Sequence, residues 1–194
     1  HNDRIAWGVT NFAADSMDLY VERVDPADDG RYEVNGRWVD FDTRTEVIEV
    51  AGGDPVEIEV RISRHGPILS DQLAALDVID EDVPGLEGET GNFAISLAWT
   101  ALDPGTMFEA LLGINTAGSW DDFRAATCLW SFGSQNFVYA DVDGNIGYTA
   151  TGTTPVRTNG DGRWPVPGWH DRHQWEGTIP CEDLPWTYNP PGGV

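Results

Sequence analysis

Asn136-Phe137-Val138-Tyr139-Ala140-Asp141-Val142-Asp143-Gly144-Asn145-Ile146-Gly147-Tyr148-Thr149-Ala150 decides how the chain is built. Two strand-like runs flank Asp143-Gly144, a pair that tolerates the positive φ of a tight hairpin turn. The same grammar recurs upstream. Arg31-Tyr32-Glu33-Val34 and Arg37-Trp38-Val39 flank Asn35-Gly36, and residues 45–50 and 56–62 flank Gly52-Gly53-Asp54. In the last run Val56, Ile58, Val60 and Ile62 alternate with other residues, which predicts one shared face. Residues 5–10 and 17–21 are further strand-like runs, and the continuous apolar stretch 93–100 reads as a buried strand.

Helical signals are confined to the middle. Residues 106–116 and 119–129 carry them; Ser119 is placed to cap the second helix, with Asp121 and Asp122 in its first turn. Phe123, Ala126 and Trp130 follow at helical spacing. Residues 77–90 are acidic, contain Pro84, Gly85 and Gly88, and read as a surface excursion. Beyond residue 150 the chain is rich in Gly, Pro and Trp with little periodicity. No repeat and no linker appears, so residues 1–194 read as a single β-rich α+β segment.

The chain has 194 residues, 40% hydrophobic and 11% aromatic, enough for a packed core. Asp and Glu number 33 against 11 basic residues, all arginine, for a net charge of −22. Such a field excludes nucleic acid and anionic lipid as partners. No apolar run approaches the roughly 18 residues of a membrane helix, and His1-Asn2-Asp3-Arg4 is not a signal-peptide start. A carboxylate-rich, lysine-free surface suits high salt, where self-repulsion is screened; a plain preference for arginine over lysine is the alternative. Two cysteines do not build a disulfide framework. One bridge is compatible with them, but Cys128 lies in a helical apolar pattern and is expected as a buried free thiol.

Motifs read from chemistry alone are sparse. No G-x-S-x-G, P-loop, HExxH or zinc-spaced cysteine pair occurs. His170 and His173 flank Asp171 in a Gly/Pro loop, and that spacing assigns no metal by itself. His65, at a strand end, reads as a catalytic base or, more simply, a turn histidine. Asp15-Ser16-Met17-Asp18 sets two carboxylates around a backbone carbonyl and can face one calcium ion if distant oxygens complete the shell. A solvated acidic turn is the other reading. Trp164, Trp169, Trp175 and Trp186 form either a sugar-stacking face or the cover of a loop-rich core.

Several stretches taken together resemble the penicillin-acylase family of N-terminal nucleophile hydrolases. They are residues 1–11 (H-N-x-x-I-x-W-G-x-T), 18–23, 32–38 (Y-x-x-N-G-x-W), 65–69, 97–100, 136–148, 165–168 and 188–190. Each alone is weak; their order and spacing over the whole chain carry the likeness. The resemblance implies an αββα sandwich, incomplete in this segment, and a precursor that cleaves itself to expose a serine. The free α-amino group of that serine is its own base. The serine attacks an amide carbonyl, an oxyanion hole stabilises the tetrahedral charge, and water releases the acid from an acyl-enzyme.

Carried over residue by residue, the resemblance implies that Asn11 supplies a backbone N–H to the oxyanion hole. It places Val9, Ala13, Trp99 and Gln135 at acyl-pocket positions, with Ala13 and Gln135 ill-suited to a phenylacetyl group. It makes Asp15, the Met17 carbonyl, Asp18 and the Gly162 carbonyl ligands of a structural calcium ion (Ca2+), with no organic cofactor. No chain-starting serine is present, and a second oxyanion donor, an Asn side chain, is expected just past Val194. The chain is therefore expected to be an internal piece of the large chain, inactive alone, partnered by the small chain and the rest of the large chain. A small-molecule N-acyl amide is the expected substrate, and family members work in the periplasm or outside the cell. The alternative is a non-catalytic, β-rich calcium-binding or interaction domain.

Overall fold

The computed structural model describes residues 1–73 and 86–193. In chain order the strands are β1 (Ile5–Asn11), β2 (Met17–Asp25), β3 (Asp28–Val34), β4 (Arg37–Asp40), β5 (Asp42–Ile48), β6 (Val56–Ser63), β7 (Gly66–Pro67), β8 (Asn92–Trp99), β9 (Gln135–Asp141), β10 (Ile146–Ala150), β11 (Pro155–Arg157), β12 (Val166–Pro167), β13 (Trp175–Thr178) and β14 (Trp186–Tyr188). The helices are α1 (Met107–Thr116) and α2 (Trp120–Thr127). The β-rich α+β class read from the sequence is the class observed. All three hairpins form, as β3–β4, β5–β6 and β9–β10. Asn35 and Gly36 take φ of 49° and 78°, the left-handed pair that a two-residue hairpin turn requires.

The described residues gather into two units made of separated stretches. His1–Ser16, Thr100–Val156 and Trp175–Val194 form one, and Met17–Trp99 with Arg157–Gln174 form the other. The chain changes unit at strand ends and inside β11 rather than through a linker, so composition marks no boundary.

The first unit holds a four-stranded sheet in the order β1-β9-β10-β14 and the pair β11-β13. Ile5 of β1 and Phe137 and Tyr139 of β9 pack in one core with Ile114 of α1 and Trp120, Phe123 and Ala126 of α2. The Ser119 hydroxyl accepts the Asp122 N–H at 3.2 Å and donates to the Asp122 carboxylate at 2.8 Å, closing the start of α2. Asn2 does the same work at the end of α1. Its Nδ2 donates to the carbonyls of Asn115 and Ala117, and its Oδ1 accepts the N–H groups of Arg4 and Ile5. One side chain thereby satisfies helix-end carbonyls and aims β1 into the sheet. Asp141 organises the β9–β10 turn, accepting from the backbone of Asp143 and Asn145 and from the Asn145 and Tyr139 side chains. The Asn145 bond leads in holding its carboxyl below the usual range.

Among the described residues the second unit is built of strands, with one short 3-10 turn at Asp171–His173. Its five-stranded sheet runs β12-β2-β3-β4, with β8 also paired to β2; β5-β6-β7 form a three-stranded sheet. Three of the four positions of the expected face of β6 are realised: Ile58, Val60 and Ile62 are half-buried while Val56 is 48% exposed. Leu86 is buried beside Val21 and Trp169, so the surface excursion expected over 77–90 has an inward anchor. Residues 77–85 of that stretch lie outside the described residues.

One expectation fails. Cys128 is no buried free thiol: it is bonded to Cys181, with Cα atoms 5.5 Å apart. The buried stripe of α2 is Trp120, Phe123, Ala126 and Thr127; the helix ends at Thr127, and Cys128 is an exposed cap residue off that stripe. The helical spacing holds for Phe123 and Ala126, while Trp130 and the thiol lie past the end of the helix.

Gly113 is where the two helices touch. A Cβ there would stand 2.7 Å from Ala126 Cβ, so the pair must separate to admit it. Gly113→Ala is expected to destabilise the fold by about 1–2 kcal/mol, overpacking outweighing the gain in helix propensity. Denaturant unfolding checks this, and a more stable variant would show that the contact is loose.

Candidate functional site

The antiparallel register of β1 on β9 sets Asn11 opposite Gln135 and Val9 opposite Phe137. Phe12 N–H donates to the Ser134 carbonyl at 3.1 Å. Pairs in an antiparallel ladder alternate between bonded and non-bonded, so Asn11 and Gln135 are a non-bonded pair whose main-chain groups point away from each other. The Gln135 carbonyl agrees with this, accepting the Thr151 N–H on the far side. The Asn11 carbonyl accepts the side chain of Asn136, on β9, at 2.9 Å. Because β1 ends the strand order, the Asn11 N–H is directed off the sheet edge.

Period-two alternation puts Val9, Asn11 and Gln135 on the face that carries Ile5 and Phe137. Val9 is 48% exposed, beyond the helix-covered part of that face, and Ala13 follows in the exposed connection after β1. The structure thus brings Val9, Asn11 and Gln135 together in the first unit. Trp99, 37% exposed, ends β8 in the second unit opposite Met17.

Asp15 belongs to the first unit, and Met17, Asp18 and Gly162 to the second. Asp18 is 6% exposed, and its Oδ2 accepts Arg157 Nε at 2.8 Å in a buried ion pair. The donors supplied by Asp15, Asp18 and the two carbonyls are all oxygens, the type calcium takes. Among the described residues no group of three or more His, Cys, Asp and Glu side chains could hold a metal. The donor set therefore depends on carbonyls, and Arg157 sets a positive charge against one of its carboxylates. Asp171, between His170 and His173, is engaged by Arg64 at 2.7 Å and Asn35 at 2.9 Å. Trp169 is buried under the Arg23 guanidinium, while Trp164 and Trp186 are exposed.

Sequence reasoning missed Glu22. This residue of β2 is wholly buried, and its Oε1 accepts Ser63 at 2.7 Å, Ser96 at 2.8 Å and His65 Nδ1 at 2.6 Å. His65 stacks flat on Tyr20 with ring centres 3.8 Å apart, and its Nε2 meets Gln174. Burial pushes the Glu22 carboxyl up, but the His65 bond and charge and the two serines outweigh it and hold it below the usual range. Gly168 lies so close to Oε2 that any Cβ there would collide with it. The available signal was a carboxylate directly after the apolar run Leu19-Tyr20-Val21; its partners are 41 to 74 residues away in sequence, beyond any local pattern.

Comparison with known proteins now has a geometry to meet. The family described as penicillin amidase matches residues 1–194. The chain belongs to the penicillin amidase family. It is 34% identical over 195 residues to the penicillin G acylase of Escherichia coli, covering all of this chain and 21% of that protein. It is 29% identical over 194 residues to the acyl-homoserine lactone acylase QuiP of a Pseudomonas fluorescens strain, covering 99% of this chain and 22% of that protein. Among solved structures it resembles the thermostable penicillin G acylase of Alcaligenes faecalis, with a TM-score of 0.78 and 28% identity over 100% of this chain and 32% of that one. The chain thus spans about a fifth of the length of these family relatives.

The buried carboxylate makes stability sensitive to acid. Its folded pKa lies below the unfolded value of 4.5, so its contribution is complete above 4.5 and is lost as pH falls through the folded value. Glu22→Gln is expected to cost about 3 kcal/mol at neutral pH, where it breaks the buried pair. It should also flatten the fall in stability below the unfolded value. Unfolding curves across that range test both, and a variant with the parental acid slope would place the sensitivity elsewhere.

Proposed function

We propose that the whole protein is an amide-bond acylase, a linear-amide C–N hydrolase acting through an acyl-enzyme. The supporting observation is the Asn11 N–H at the free edge of the sheet, in a chain that matches the family over its full length. A donor fixed by strand pairing is already aimed before charge develops, which is what an oxyanion hole requires. The nucleophile in this reading is an N-terminal serine carried by sequence outside these 194 residues, and the segment alone turns over no amide.

Val9, Ala13, Trp99 and Gln135 line the acyl pocket in this reading. Gln135 brings a polar amide and Ala13 little bulk, which argues against a tight aromatic slot. The names of the relatives offer two substrate classes, penicillin-type amides and N-acyl-homoserine lactones. Calcium, if bound, would be held by Asp15 and Asp18 with the carbonyls of Met17 and Gly162, and would fix the start of β2; no step of the reaction uses it.

Incubating the precursor and sequencing the new N-terminus tests the nucleophile: a large chain starting with Ser, Thr or Cys is expected, and an unsplit chain without turnover overturns the reading. The donor has its own test. Asn11→Ala keeps the N–H and is expected to leave kcat within a few-fold. Asn11→Pro removes an N–H that the ladder does not use, and edge strands tolerate proline. It is expected to lower kcat about 10²- to 10³-fold with the thermal midpoint nearly unchanged. Equal kcat in the two variants would remove Asn11 from the oxyanion hole.

A further inference from the structure

The chain has 33 carboxylates for 11 arginines, yet one arginine gives its donors to sulfur. Arg124 Nη1 lies 2.9 Å from Cys128 Sγ and 2.7 Å from Cys181 Sγ, and Nη2 donates to the Cys181 carbonyl at 2.7 Å. All three groups belong to the first unit. Arg124 and Cys128 are one helical turn apart, which brings the guanidinium within reach of the bond, and its contact to the Cys181 carbonyl holds it there. Burial lowers the Arg124 pKa, and the nearby charge of Glu182 only partly offsets it. A neutral disulfide returns little for that desolvation. A thiolate at the same place returns a full ion pair.

The geometry points to Cys128–Cys181 as a thiol-exchange site, a disulfide opened reversibly by a neutral or cationic low-molecular-weight thiol. Cys128 is exposed and Cys181 half-buried, so attack falls on Cys128 Sγ. The incoming thiolate forms a bond to that sulfur. The Cys128–Cys181 bond breaks, and its electron pair leaves on Cys181 as a thiolate against Arg124 Nη1. A second thiolate attacks the external sulfur of the mixed disulfide. The external disulfide departs, and Cys128 is left as a thiolate beside the same nitrogen. Two external thiolates are oxidised for one protein disulfide reduced, and charge balances at each step.

The surroundings select the thiol. An open hollow next to the bond is lined by Trp120, Asp121, Arg124, Cys128, Glu182 and Trp186. Two carboxylates on its wall and a net charge of −22 repel an anionic thiol and favour a neutral or positive one. The bond also holds a structural element. Cys181–Asp183 is the turn that leads through Leu184 and Pro185 into β14, whose Tyr188 ring stacks on Trp120 with centres 5.1 Å apart. Opening the bond frees the approach to that edge strand, and the change is visible in tryptophan fluorescence.

The test uses the protein with whatever sequence flanks residues 1–194 in its gene, under native conditions. Cysteamine, 2-mercaptoethanol and glutathione are compared at equal thiolate concentration and low salt, with acid quenching and mass mapping of the mixed disulfide. The expected rate order is cysteamine, then 2-mercaptoethanol, then glutathione, with the adduct on Cys128 and the spread narrowing as salt rises. In a redox titration Arg124→Leu is expected to make the bond about tenfold harder to reduce, close to 30 mV for a two-electron couple. If that variant misfolds, the thiol series and the adduct position on the unaltered protein decide alone. A bond that resists millimolar thiol until the protein is denatured, an adduct mapped to Cys181, or a folded Arg124→Leu with an unshifted potential would each overturn the assignment.

Discussion

The pairing of β1 with β9 is the constraint on which the candidate site depends. It joins residues 5–11 to 135–141, far apart in sequence, and its register alone decides which N–H groups face the neighbour and which face outward. A slip of one residue would turn the Asn11 donor into the ladder and exchange every side chain between the two faces. The structure guards against that slip at both ends. Asn2 ties the start of β1 to the end of α1, and Asp141 closes the turn after β9 on its own backbone. Between them the buried side chains of Ile5, Phe137 and Tyr139 fix the inward face.

The second unit has an equivalent centre in Glu22. A charge with no exposure is tolerated because one of its oxygens takes three hydrogen bonds, and because His65 stands beside it, stacked on Tyr20. The parallel strand β12 lies against β2 through Val166 and Pro167, and Gly168 follows where no side chain fits. This gives a physical meaning to two of the sequence stretches that carried the family likeness. His65-Gly66-Pro67 and Pro165-Val166-Pro167-Gly168 meet at the same carboxylate.

Much of this was legible in the sequence wherever the cause is local. Asn35-Gly36 and Asp143-Gly144 announced their hairpins, Ser119 its helix, and the alternation at residues 58–62 its half-buried face. The same local grammar misplaced Cys128, because helical spacing identifies a face only while the helix continues, and α2 ends one residue earlier. Glu22, the Asp18–Arg157 pair and the two-unit division stayed hidden for the opposite reason. Each depends on groups brought together from distant stretches, and nothing near them in sequence records the partner. Of the candidate site, the family likeness supplied Asn11, Val9 and Gln135, and only the register explained why they share a face.

The central claim is that strand pairing aims the Asn11 main-chain donor at the charge formed in amide hydrolysis. The most direct measurement is a structure of the whole protein with a boronic acid that the proposed serine would attack. The account predicts a boronate oxygen roughly 2.7–3.1 Å from the Asn11 nitrogen, with β1 in the register seen here. A boronate oxygen turned away from Asn11, or an Asn11 N–H bonded within its own chain, would contradict it.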